Sequence, residues 1–278
     1  MGKSLYIAEK PSVAREFARV LKITGRSADG YLESADGVVT WCVGHLVTMS
    51  YPESYDSALK KWRLDTLPFM PETFKYEVIP DVKKQFKIVA GLLNRKDIDT
   101  IYICTDSGRE GEYIYRLVDE MAGVKDKVRK RVWIDSQTEE EILRGVREAK
   151  DWSAYDNLSA SAYLRAKEDY LMGINFSRLL TLKYGQTISN FMHTKYTVLS
   201  VGRVMTCVLG MVVRREREIR CFVKTPYYRV IAKLDYKGFE FEGEWRAAEG
   251  SDYLNSPLLY KENGFKRRED AESLIQIL

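Results

Sequence analysis

The sequence predicts a mainly parallel α/β sheet domain over residues 1–150, a mostly α-helical domain over 151–220 and the start of a β-rich domain over 221–278. Three observations carry this: short apolar strands alternate with helical periodicities in the first part, helical spacing runs on alone in the second, and period-two alternation appears after residue 226. Residues 4–8 (SLYIA) form the first buried strand. After Glu9-Lys10-Pro11 a helix begins near Ser12, with Val13, Phe17, Val20 and Leu21 at helical spacing. Residues 38–43 read as a second strand, closed by Gly44-His45-Leu46. Residues 50–80, rich in Pro and Tyr and without periodicity, read as an ordered excursion that carries Trp62 and the segment 64–71. Residues 82–93 are helical, 100–104 (TIYIC) form another strand, and Ser107-Gly108 turn the chain into a helix over 109–121. A short strand at 132–134 follows. Thr138 and Glu141 then stand in capping-box spacing at the head of a helix through Ala149.

Beyond Asp151 the spacing predicts helices over 158–172, 175–184 and 204–219, with an insertion at 185–197 between the last two. Residues 227–234 and 239–245 alternate as a hairpin about Lys237-Gly238. The last ten residues are amphipathic without a C-cap signal, which reads as a cut rather than an ending.

With 278 residues, 45% hydrophobic and 30% charged, the composition excludes a disordered chain, a collagen-like repeat and a disulfide-stapled miniprotein. No apolar run approaches the ~20 residues of a membrane helix, and no signal-peptide core opens the chain, so a cytoplasmic protein with no membrane partner is expected. Cys42, Cys104, Cys207 and Cys221 form no C-x-x-C pair, and His45 and His193 are too few for a His-based centre. Any metal must therefore be held by carboxylates. The net charge of +4 is weak evidence for a nucleic-acid partner, but its distribution says more. Residues 151–225 hold 11 Lys/Arg against 6 Asp/Glu, interleaved with aromatics such as Trp152, Tyr170, Phe176 and Tyr184, a mixture that single-stranded nucleic-acid grooves use.

In open α/β sheets, ligands bind beyond the carboxyl ends of the strands. Glu9 and Asp106 each follow a predicted strand directly, and Glu110 lies one turn into the next helix. If the two strands are neighbours, these carboxylates converge, a clustering that suits a Mg²⁺ ion retaining waters for a phosphate partner. Lys10 and Arg109 stand beside two of them and supply positive charge for phosphate oxygens. The same acids equally suit helix N-termini, which favour negative charge. Neither G-x-G-x-x-G nor a Walker motif is present, so no nucleotide cofactor is expected.

Three segments, Ala8-Glu9-Lys10-Pro11-Ser12-Val13-Ala14, Thr40-Trp41-Cys42-Val43-Gly44-His45-Leu46 and Thr105-Asp106-Ser107-Gly108-Arg109-Glu110-Gly111-Glu112, together resemble the Toprim domain, a Rossmann-like fold, of type IA DNA topoisomerases of the topoisomerase III branch. The segments 165–175 (RAKEDYLMGIN) and 199–206 (LSVGRVMT) are similar to that family's groove helix and its S-x-G-R-V-Q-T segment. The resemblance implies a β-rich arch as the third domain. It implies Mg²⁺ ligation by Glu9 and Asp106 with Glu110 as third carboxylate, and a phosphate contact for Lys10. It further implies contacts to single-stranded DNA from Trp62, Arg165, Tyr170, Arg178, Ser200, Val201, Gly202, Arg203, Val204 and Met205, and a nucleoid-associated location. Two departures are local: Gly108 occupies the second acidic position of the family's D-x-D-x-E motif, and Met205 and Cys207 replace Gln and Pro. The third is that none of the 18 tyrosines stands in the Tyr-x-Arg-Thr-like context of the family's nucleophile, the nearest being Tyr228-Arg229-Val230. The implied protein is an ATP-independent isomerase that cuts one strand through a 5′-phosphotyrosine, passes another and reseals, and this chain alone is expected to bind DNA and metal without relaxing DNA. Alternatives are a naturally truncated single-strand-binding module and a Toprim-type metal-dependent nuclease.

Overall fold

The structure is a computed structural model and describes residues 2–278, without the side chain of Arg26. The elements run β1 (Lys3–Ala8), α1 (Pro11–Val20), β2 (Arg26–Ala28), β3 (Tyr31–Glu33), β4 (Gly37–Trp41), β5 (Val47–Met49), β6 (Tyr76–Val78), α2 (Lys83–Leu93), β7 (Ile98–Cys104) and α3 (Arg109–Ala122). They continue β8 (Val128–Arg131), α4 (Glu139–Arg147), β9 (Lys150–Asp151), α5 (Asp156–Phe191), α6 (Arg203–Arg220), β10 (Ile231–Tyr236), β11 (Phe239–Glu244), β12 (Leu259–Lys261), β13 (Gly264–Phe265) and α7 (Arg268–Ile277). The chain divides into two compact units, 1–208 and 209–278, so the expected α/β part and the expected helical part as far as Val208 share the first unit.

The first unit is built on a seven-stranded sheet of order β2-β3-β4-β1-β7-β8-β9. The four central strands run parallel and the edges are antiparallel. Alternate residues of β1 feed opposite faces, as the pleat demands. Leu5 and Ile7 join Val38, Ile101 and Ile103 under α2 and α3. Ala8, Val39 and Cys104 pack with Phe17 of α1 and Ile142 of α4 on the other face. Both faces are thus covered, which is why the central strands are nearly continuous apolar runs.

Three sequence expectations shift. The strand expected at 132–134 lies at Val128–Arg131, because its inward residue is a charged one, the fully buried Arg131. The capping box does not form: Thr138 makes no side-chain cap, and Glu141 accepts from the Asp135 amide instead. The helices expected at 158–172 and 175–184 are one 36-residue helix, α5, about 54 Å long at 1.5 Å per residue. In the second unit the hairpin forms with its turn at Lys237-Gly238, both at positive φ (54° and 84°), and β12, β13 and α7 enclose a small core around Phe265.

Candidate active site and nucleic-acid interface

Parallel β1 and β7 are neighbours with Ala8 opposite Cys104, so the chain emerges from both at one level. This brings Glu9 and Asp106 together. The Asp106 amide donates to Glu9 Oε2 at 3.3 Å, and Glu9 is 7% exposed whereas the Asp106 side chain is half in solvent. Lys10 Nζ lies 3.5 Å from Asp106 Oδ2 and 3.7 Å from Glu9 Oε1. Attraction to Asp106, then to Glu9, holds the lysine above its ordinary pKa.

The loop that presents Asp106 is held from several sides. Arg131, fully buried, donates to the carbonyls of Thr105 (2.7 Å) and Asp106 (2.7 Å) and to Glu112 Oε2 (2.9 Å). Burial pulls this guanidinium below the usual arginine value, and the equally buried Glu112 opposes the shift. A Cβ at Gly111 would stand 2.1 Å from the Asp106 carbonyl oxygen, so only glycine lets α3 start this close to the loop. Gly44, at φ +81°, turns the chain so that its amide reaches the Glu9 carbonyl at 3.3 Å. The sequence assigns no role to Arg131, which ends the basic run Lys127-Val128-Arg129-Lys130-Arg131, and shows Glu112 only as the last residue of the 105–112 motif.

Glu110, the expected third carboxylate, faces elsewhere: it pairs with His45 Nε2 at 2.7 Å in a cleft of about 450 Å³ shared with Arg109, Tyr113, Arg165 and Asp169. Among the described residues no group of three or more His, Cys, Asp or Glu side chains is placed to hold a metal. The Glu9–Asp106 pair, with a lysine ammonium between its carboxylates, fits a Mg²⁺ that keeps several waters; a three-carboxylate cage is not assembled.

The residues expected at DNA divide into three groups. Arg178 is buried, stacks its guanidinium over Trp62 (5.2 Å to the ring centre) and donates to the Leu59 carbonyl at 3.0 Å, while its Nε has no hydrogen-bond partner among the described residues. Burial lowers its pKa from the usual arginine value. Tyr170 is half-buried, donates to the Ser50 carbonyl at 2.7 Å and meets Phe69 and Phe74 edge to face, so it joins α5 to the 50–80 excursion. The exposed group is Arg165, Ser200, Arg203, Val204 and Met205, with Val201 and Gly202 half-exposed.

The segment 197–201 owes its place to small residues every fourth position along α5. Ser189 bonds Thr197 Oγ1 (3.0 Å), Thr181 accepts from the Leu199 amide (2.9 Å) and Ser177 from the Val201 amide (2.8 Å). A Cβ on Gly185 would lie 2.9 Å from the Thr197 carbonyl and one on Gly173 3.6 Å from that of Val201. This strap delivers Ser200 to Gly202 and the start of α6 along the helix. No helix among the described residues is long and apolar enough to cross a membrane.

Comparison with known proteins identifies the family. A Toprim domain model matches residues 4–136 and a DNA topoisomerase model matches residues 153–278. DNA topoisomerase 3 of Bacillus subtilis (strain 168) is 43% identical over 235 residues, 84% of this chain and 30% of that protein. DNA topoisomerase 3 of Bacillus cereus (strain ATCC 14579) is 40% identical over 275 residues, 98% of this chain and 35% of that protein. The chain thus spans about a third of the length of these curated relatives. With a Toprim match over residues 4–136, a DNA topoisomerase match over 153–278 and 40–43% identity to DNA topoisomerase 3 of these bacilli, the chain belongs to the type IA DNA topoisomerases, in the topoisomerase III branch.

Proposed function

We propose that this chain supplies the metal-binding half and the strand-entry groove of a topoisomerase III that cleaves, passes and reseals single-stranded DNA without ATP. Residues 1–150 act as the metal-binding domain, 151–220 as the helical DNA-binding domain and 221–278 as the start of the β-rich arch. The observation that carries the reading is the convergence of Glu9, Lys10 and Asp106 at the ends of adjacent parallel strands.

Glu9 and Asp106 would hold the Mg²⁺, which when bound supplies positive charge to the scissile phosphate. Lys10 brings its ammonium to the non-bridging oxygens, where negative charge grows during transesterification. Buried Arg131 keeps the Asp106 peptide fixed, so that the carboxylate needs little reorganisation. Arg165 and Arg203 neutralise backbone phosphates and set the register of the strand. The nucleophilic tyrosine, forming the 5′-phosphotyrosine, comes from residues outside these 278.

The test joins binding and turnover on one preparation of the 278-residue chain. Single-stranded oligonucleotide is expected to bind more tightly than duplex and to weaken steeply with salt. Negatively supercoiled plasmid should stay unrelaxed with Mg²⁺ present, and relaxation would place the nucleophile inside the chain and overturn that part. Magnesium-dependent nicking abolished by Asp106→Asn would favour a nuclease, and failure to bind single strands would remove the groove assignment.

A further inference from the structure

Within the first unit, the arginine that opens α6 already has an anion. Arg203 Nε donates to Asp169 Oδ1 at 2.7 Å and its Nη2 reaches Oδ2 at 3.4 Å, a two-point grip of guanidinium on carboxylate. Arg165, one turn earlier on α5, has its Nε 3.9 Å from the same carboxylate. Asp169 is 42% exposed in its side chain, and exposed pairs of this kind contribute only ~0–1 kcal/mol to stability. Holding the fold together is therefore a small part of what this contact does. The neighbouring Glu168, equally charged and also exposed, bonds to no arginine among the described residues, so the pairing is specific to Asp169.

A carboxylate offers guanidinium the same planar pair of oxygens as a phosphodiester does. We infer that Asp169 is an internal stand-in for a DNA phosphate, which occupies Arg203 until a strand enters and displaces it. This rests on the groove being a single-strand site. The carboxylate makes every incoming anion compete for Arg203. An isolated phosphate or carboxylate gains little from the exchange, whereas a strand that also reaches other cations gains at several points at once.

The experiment is fluorescence anisotropy of a labelled oligo(dT) with wild-type chain, Asp169→Asn, Glu168→Gln, Arg203→Ala and the double variant Asp169→Asn/Arg203→Ala. Asparagine keeps the shape and one acceptor oxygen for Arg203 and removes the competing charge. Asp169→Asn is expected to tighten binding about 2- to 5-fold at low salt, the equivalent of one exposed ion pair. The gain should exceed that of Glu168→Gln at least twofold and vanish in the Arg203→Ala background. Unchanged binding overturns the inference, and weaker binding overturns it by making Asp169 a support for Arg203. A gain that persists without Arg203 overturns it as general charge. If Arg203→Ala binds as well as wild type, the groove assignment itself has failed.

Discussion

Gly108 departs from the family's acidic motif, and its surroundings show that the departure is not forced by the fold. Its φ of −178° is ordinary extended backbone, and a Cβ there would meet nothing within 4 Å. It is also the N-cap of α3, a position that aspartate fills better than glycine by a few tenths of a kcal/mol. Gly108→Asp is therefore expected to fold normally and to stabilise the metal-free chain by about 0.5 kcal/mol or less. It also places a third carboxylate two residues from Asp106, so Mg²⁺ should raise its melting temperature more than that of wild type. Thermal melts with and without Mg²⁺ check this, and equal shifts would show that residue 108 does not reach the ion. At this scale the sequence was informative wherever a charged side chain ends a strand, as at Glu9 and Asp106. It was silent where function depends on backbone contact. The 2.1 Å approach of Gly111 to Asp106 and the partners of Arg131 arise from segments brought together only in the folded sheet.

Among elements, α5 shows most clearly what helical periodicity conceals. Gly173 and Gly185 read as breaks because glycine costs about 1 kcal/mol against alanine in a helix interior. In the structure they belong to the row Gly173, Ser177, Thr181, Gly185 and Ser189, whose small side chains admit the backbone of 197–201. The cost in helix propensity is offset by hydrogen bonds and contact along the strap. Gly185→Ala separates the two effects. It should leave global stability unchanged or slightly raised through better helix propensity, while the added Cβ, 2.9 Å from the Thr197 carbonyl, pushes the strap away. Faster amide exchange at Leu199 and Val201 and a several-fold loss of single-strand affinity are the expected readouts. Unaltered exchange at both amides would show that the strap is held without the close approach. The β2–β3 edge escaped sequence reading for a different reason: its strands have three residues each and little apolar alternation.

For the whole molecule, alternation of strand and helix was enough to predict a covered parallel sheet and, through it, the meeting of Glu9 with Asp106. It did not predict where compact units divide, because unit boundaries follow tertiary packing rather than local pattern. The α5 helix packs on the first core through Ala162 and Tyr163, which places this helix with the sheet. Residues 209–278 instead carry their own core of Val230, Ala247, Leu259, Phe265, Ala271 and Leu274. Seventy residues with so small a core are expected to be marginally stable. Phe265, fully buried and stacked on Trp245 at 5.4 Å between ring centres, is the side chain that this core can least lose. Phe265→Ala removes about 3–5 kcal/mol, comparable to all that such a unit has. Calorimetry of the wild-type chain should resolve a smaller, lower transition beside a larger one. In Phe265→Ala the lower transition should disappear while the larger keeps its midpoint, because the sheet and the Glu9–Asp106 site draw on separate cores. A joint downward shift of a single transition would mean that the two units unfold as one, and that the acidic site depends on packing some 150 residues away in sequence.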